Sequence, residues 1–315
     1  MPDLRHRFFV PLLALLAIAA VVVAGCGGGS DSSSTASGSS GSGGSLKVVA
    51  AEDFWGSIAE QLGGEKVEVT NIITNPAADP HDYEPTSEDA KTLAGAEMSI
   101  VNGIGYDEWA SKLLAASPDE NRTELTVGEV LGLSDGDNPH QWYSPISVHK
   151  VIDQIVADYK RALPGNDSYF DQQKEAFETE GLAEYNQLIE GIKAKYSGTP
   201  VGASESIFEP LAPSLGLKLI TPKGFMDGIA EGTEPTPQEK ATADEQVKDK
   251  QVTVWVYNSQ NATPDVKRLN EEAEAAGIPI ATVTETMTPE GASFEEWMVR
   301  ELKGIEKALG EAEGS

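Results

Sequence analysis

Two histidines stand in matching settings, Asp79-Pro80-His81-Asp82-Tyr83-Glu84-Pro85 and Asn138-Pro139-His140-Gln141-Trp142. They lie 59 residues apart in a chain of 315 residues that holds four histidines in all. A proline fixes the backbone ahead of each imidazole, and both neighbourhoods are turn-like rather than helical. This is a way to hold two rigid ligands on loops, and imidazole is the commonest side-chain ligand for transition metals. Two unrelated histidines in proline-rich loops is the alternative that spacing alone leaves open. His149 follows Pro145 on an expected helix and reads as an exposed side chain, and Trp142 reads as packing beneath the His140 loop.

The elements that must carry these loops alternate between strand and helix. Leu46–Ala51 reads as a buried strand, and residues 52–62 as a helix ended by Gly63-Gly64. Val67–Ile73 is a second strand, and the His81 loop follows it directly. Thr86 can cap the next helix, with Glu88 and Asp89 favoured by the dipole in its first turn. Residues 98–101 form a third strand, 106–116 a helix and 125–127 a short strand before the His140 loop. This repeated order argues for a parallel sheet covered by helices.

From Ser147 to Tyr196 strand signals stop. Ile152, Ile155, Val156 and Tyr159 recur at helical spacing, and Pro164-Gly165 breaks the run. Residues 167–195 then read as one charged helix, ~43 Å long if unbroken, which suits a rigid connector. Two ordinary surface helices joined by a loop is the other reading. The α/β pattern restarts with strands at 200–204, 217–221, 252–257 and 278–283, and helices at 208–215, 237–248, 264–276 and 293–309. The fold class expected is therefore α/β: two doubly wound lobes with parallel-type sheets joined by a single long helix. Ligand sites belong in loops at the carboxyl ends of the strands.

The front of the chain sets the compartment. Arg5, His6 and Arg7 form a basic start, and Phe8 to Ala24 is an apolar run of 17 residues, short for a membrane span of ~20. Val23-Ala24-Gly25-Cys26 resembles the bacterial lipobox, which implies cleavage before Cys26 and lipidation of its thiol. An uncleaved membrane anchor is the alternative. Cys26 is the only cysteine, so the body must be stable without an internal disulfide. Gly27 to Ser45 holds only Gly, Ser, Thr, Ala and one Asp, and has nothing to bury. A flexible tether of this length reaches roughly 25 Å. The expected organisation is a signal peptide at 1–25, lipidated Cys26 and tether at 26–45, an N-terminal lobe at 46–166, a linking helix at 167–196 and a C-terminal lobe at 197–312. The expected location is extracytoplasmic, held to the membrane by lipid.

The formal charge is −28, and removing residues 1–25 takes away Arg5, Arg7 and Asp3, a net +1, leaving −29. Such a surface repels nucleic-acid phosphates, so no nucleic-acid partner is expected. It raises the local concentration of cations, although solubility or a salt-adapted host accounts for most of the charge.

With these features together the chain resembles the zinc/manganese solute-binding proteins of bacterial metal ABC transporters. The resemblance rests on Asp79–Thr86, Pro139-His140-Gln141-Trp142, Ala203-Ser204-Glu205-Ser206-Ile207-Phe208 and Glu234-Pro235-Thr236-Pro237, and covers about residues 46–312. It implies two α/β lobes joined by one long helix, with two metal ligands from each lobe. By motif position these are His81 and His140, then Glu205 after the first strand of the second lobe and Glu285 after its last strand. Members often carry Asp at the last position, so Glu209, Glu231 and Glu290 are the neighbours to weigh against these acids. Asn138 stands where an acidic residue is usual, which puts a carboxylate partner for His140 in doubt.

Two imidazoles and two carboxylates suit Zn²⁺, Mn²⁺ or Fe²⁺, and the two negative charges cancel one divalent cation. Zinc-importing members often carry a His-rich loop that is missing here, and the Glu205 version leans to harder ions. Zn²⁺ nevertheless binds such a set more tightly than Mn²⁺, and the reading leans slightly to Zn²⁺. The function expected is a monomeric receptor that captures the ion and delivers it to a membrane permease. A lipid-anchored adhesin and a metalloenzyme are the competing readings. Four protein ligands would fill a tetrahedral site and leave no open position for an enzyme's water.

Overall fold

The computed structural model describes residues 44–76 and 83–314, so the apolar start, Cys26, the tether and His81 lie outside the described residues. The first half alternates as expected: β1 (Leu46–Glu52), α1 (Asp53–Gly63), β2 (Val67–Ile73), α2 (Ser87–Ala94), β3 (Met98–Val101), α3 (Glu108–Ala116), β4 (Thr123–Thr126) and a short α4 (Val127–Leu131). Helices α5 (Pro145–Ala162), α6 (Asp167–Ala176) and α7 (Ala183–Tyr196) fill the middle. The second half runs β5 (Pro200–Ala203), β6 (Lys218–Leu219), α8 (Lys223–Ala230), α9 (Pro237–Lys248), β7 (Val254–Asn258), α10 (Pro264–Ala276), β8 (Ile280–Val283) and α11 (Phe294–Glu313).

Each half builds one four-stranded parallel sheet with the same strand order, β2-β1-β3-β4 and β6-β5-β7-β8. In both, the order reverses beside the first strand of the half. Loops leaving neighbouring strands there part to opposite faces and open a crevice at the carboxyl ends. Polar side chains close the helix starts. Thr86 with Asp89, Thr236 with Glu239 and Ser293 with Glu296 form reciprocal capping boxes on α2, α9 and α11. Pro145, Pro237 and Pro264 sit in the first turn, where a missing N–H costs nothing.

Three segments depart from the periodicity. The 167–196 stretch is helical, but a π-turn over Phe177–Gly181 interrupts it, where the Leu182 N–H reaches back five residues to the Phe177 carbonyl. Residues 208–215 do not form an α-helix. A 3₁₀ turn at Ser206–Phe208 leads into mixed short-range bonds, because Pro210 and Pro213 remove two backbone donors. Helix α8, with Gly224 and Gly228 in an eight-residue span, carries too weak a helical signal to be read from sequence.

The main hydrophobic core is continuous from β1 and α1 to β7, β8 and α11. Its centre is aromatic. Phe54 of α1 stacks on Trp142 at 4.1 Å between centroids, and Tyr143 meets Trp297 of α11 edge-on at 5.8 Å. Truncating such buried rings costs ~3–5 kcal/mol, so the residues just after His140 are pinned by the core. Trp142 thus packs beneath the loop, as expected from the sequence.

Candidate metal centre

His140 ends the loop between α4 and α5 and is 1 % exposed. The Asn138 carboxamide fixes its ring. Asn138 Oδ1 accepts from the His140 backbone N–H at 3.0 Å and lies 2.9 Å from Nδ1. A carboxamide oxygen only accepts, so Nδ1 carries the proton and a neutral ring turns the lone pair of Nε2 outward. Trp142 and Tyr106 stand edge-on to the imidazole at 5.3 and 6.1 Å. The loop is held from below by Asn102, whose Nδ2 donates to the Pro139 carbonyl at 3.0 Å while Oδ1 accepts from Trp55 Nε1 at 2.9 Å.

Glu205 follows β5 and Glu285 follows β8, both buried at strand ends. Two carboxamides orient Glu205: Asn258 Nδ2 donates to Oε1 and Asn261 Nδ2 to Oε2, each at 2.7 Å. Gln260 shapes the Glu285 turn, its Oε1 accepting from the N–H groups of Glu285 and Thr286 at 2.6 and 3.0 Å. The Gln260 Nε2 group and the Thr286 hydroxyl both donate to the carbonyl of Pro76, the last described residue before the His81 loop. On the far side of that loop, Tyr83 packs on Trp109 and its hydroxyl donates to Asp89 at 3.0 Å.

His140, Glu205 and Glu285 bring one ligand atom each within 4.8 Å of one another. His140 Nε2 lies 3.4 Å from Glu285 Oε1. With the ring's proton on Nδ1, a lone pair faces a carboxylate oxygen in a buried site. That arrangement is repulsive until a proton or a cation stands between them. His149 lies elsewhere, 3.3 Å from Glu178 with its side chain 43 % exposed. Of the competing acids, Glu231 and Glu290 are exposed. Glu209 turns to Asn138, accepting from its Nδ2 at 2.9 Å.

Two groups of buried acids support this centre. Asp107 accepts from the N–H groups of Asn102 and Gly103 at 2.6 and 2.7 Å, bracing a turn in which Ile104 takes a left-handed φ of 59°. Burial pushes the Asp107 carboxyl up to about 6, and burial beside Asp107 raises Glu52 well above the usual range. Behind Glu285, Glu301 of α11 accepts from the Thr284 N–H and hydroxyl and from Trp297 Nε1 at 2.7–2.8 Å. It also meets the Tyr143 hydroxyl. Burial holds its carboxyl up at about 7. Asn258, Gln260, Asn261 and Glu301 escaped the sequence reading. The usable signal was the polar run Asn258-Ser259-Gln260-Asn261 at the carboxyl end of the strongest strand.

The family model for zinc-uptake complex component A, periplasmic, matches residues 48–308. The manganese-binding lipoprotein MntA of Halalkalibacterium halodurans is 29 % identical over 163 residues, covering 49 % of this chain and 51 % of that protein. This chain thus spans about half the length of that relative. The manganese ABC transporter substrate-binding lipoprotein PsaA of Streptococcus anginosus is 26 % identical over 271 residues, 78 % of this chain and 82 % of the relative. Among solved structures, a manganese-bound periplasmic metal-binding protein of Candidatus Liberibacter asiaticus superposes with a TM-score of 0.70 at 19 % identity, covering 84 % of this chain and 99 % of that one.

Proposed function

The chain belongs to the zinc-uptake complex component A family, and from that premise we propose that His81, His140, Glu205 and Glu285 capture a divalent transition metal for an ABC permease. The protein is a substrate-binding component of metal transport rather than an enzyme, and the ion, Zn²⁺ or Mn²⁺, is its cargo. The observation that carries the ligand set is the convergence of His140 Nε2 with two carboxylates, one beyond β5 and one beyond β8. His81 is assigned from its motif and from the anchored chain on either side of it. Residues 46–166 and 197–312 act as the two lobes, with 167–196 between them. The set favours Zn²⁺ over Mn²⁺ on affinity, so supply and coordination geometry decide which is carried.

Protein purified without added metal is expected to hold close to one ion per chain by elemental analysis. Competition between Zn²⁺ and Mn²⁺ then ranks the two. A wild-type protein that takes up neither ion would sink the proposal.

Lipid attachment at Cys26 would leave the receptor as a monomer at the membrane surface, near its permease. Mass spectrometry of the membrane-extracted protein is expected to find an N-terminal peptide that begins at Cys26 and carries acyl chains. A chain that keeps residues 1–25 and an unmodified Cys26 would mean that the apolar run itself is the anchor.

A further inference from the structure

Asn138 uses every polar position of its carboxamide, and does so across the crevice between the two halves. Oδ1 serves the N-terminal half, accepting from the His140 N–H and Nδ1 at 3.0 and 2.9 Å. Nδ2 serves the C-terminal half, donating to the Ser206 carbonyl at 2.8 Å and to Glu209 Oε2 at 2.9 Å. The partners settle the amide's orientation, since a backbone N–H can only donate and a backbone carbonyl can only accept. Ser206 adjoins Glu205 in the chain, so one side chain joins a ligand from each half.

We propose that Asn138 is a latch between the halves and a positioning residue for His140, coupling separation of the halves to release of the metal. This rests on the ligand assignment above. While the Nδ2 bonds hold, the amide plane is fixed, and with it the ring that presents Nε2. Parting the halves breaks the Ser206 and Glu209 contacts. The freed amide can then rotate away from Nδ1, and the imidazole loses its tether as the ion leaves. An aspartate here could orient the ring equally well. It could not donate to Ser206, and it would set a second carboxylate against Glu209, whose other neighbour, Lys223 Nζ, is 3.5 Å away. In this chain the amide links the ring of His140 to the residue after Glu205.

The test is the rate of Zn²⁺ transfer to a chelator, followed by stopped flow alongside the association rate. Asn138→Asp is expected to speed dissociation ~10- to 100-fold, the range for outer partners of metal ligands, with association unchanged. Adding Glu209→Gln supplies an amide that can donate to the new carboxylate, so the double variant should recover most of the loss. A role confined to orienting the ring predicts that Asn138→Asp releases metal at the wild-type rate or more slowly, which would overturn the latch. A general packing defect predicts equal damage in the single and double variants, and that result also overturns it. If Asn138→Asp fails to fold, Glu209→Ala removes one latch bond and leaves the ring contact. It should still speed release, and an unchanged rate rejects the proposal. Wild-type protein that binds Zn²⁺ while Asn138→Asp releases it normally ends the latch alone. Wild-type protein that binds neither Zn²⁺ nor Mn²⁺ ends the ligand assignment as well.

Discussion

His140→Ala is expected to weaken Zn²⁺ binding by at least ~100-fold. Four-ligand zinc sites bind with roughly 10–16 kcal/mol at neutral pH, so one ligand's share is about 3 kcal/mol or more. The site gives no easy substitute. The ring lies against Trp142 and Tyr106, and its neighbours Pro139 and Trp142 are fixed by Asn102 and by the Phe54 stack. Removal therefore leaves a gap that the loop cannot close by shifting another donor in. Glu205→Ala should lose a comparable factor, because its two amide partners, Asn258 and Asn261, are then left facing a hole. Both variants keep the sheets and the aromatic core, so the metal-free proteins should still fold but melt below wild type, Glu205→Ala the more so for its stranded amides, while the metal-induced rise in Tm collapses. Affinity of the wild type should also fall on acidification, since protons compete with the ion for the imidazole lone pairs. Titration calorimetry at neutral pH and at pH 5 checks both points. Retention of wild-type affinity by His140→Ala, or affinity indifferent to that pH change, would overturn the assignment.

The parts of this centre legible from sequence were those whose position follows from the frame. The His140 loop carries a Pro-His signature, and Glu205 and Glu285 each sit two residues past a strand, where a parallel sheet opens its crevice. What sequence could not supply was the meaning of neutral polar residues. Asn138 read as a defect in an acidic position. Its value lies in donating to Ser206 and Glu209, 68 and 71 residues further on. Asn258, Gln260 and Asn261 look like ordinary turn formers until the fold brings them round two carboxylates. The misread helix at 208–215 had its warning in Pro210 and Pro213, but the apolar positions Phe208, Leu211, Ala212 and Leu215 are buried at a helix-like spacing. Burial drives that pattern whether or not the backbone completes an α-helix.

Glu301 shows the same limit in a group with a large effect on stability. It lies one turn after Trp297 on the buried face of α11, beside Met298, Leu302 and Ile305, where an ionised carboxylate would be costly. The Tyr143 hydroxyl lies within donating reach of both the Thr284 carbonyl, at 2.7 Å, and Glu301 Oε2. Burial outweighs these bonds and holds the carboxyl up at about 7, so below that pH it carries its proton. The unfolded chain releases that proton near the ordinary glutamate value. Glu301 thus contributes stability that is fully present below ~4.5 and is lost as pH rises through about 7, a difference of ~3 kcal/mol from end to end. Glu52, raised well above its usual range, Asp53, pushed up to about 7 by burial, and Asp107, up to about 6, add slope of the same sign. Glu301→Gln preserves the geometry, with its oxygen accepting from Thr284 and Trp297 and its amide donating to Tyr143. It should match the wild type within ~1 kcal/mol at pH 5 and exceed it by pH 8, leaving the shallower slope that Glu52, Asp53 and Asp107 produce. Glu301→Ala strands the Thr284 and Trp297 donors and should cost ~3 kcal/mol or more at pH 5. Denaturant melts of the metal-free proteins across pH 5–8 measure all three. Parallel stability curves for the wild type and Glu301→Gln would mean that Glu301 is ionised in the folded protein, and that the proton in the Tyr143 contact belongs to tyrosine.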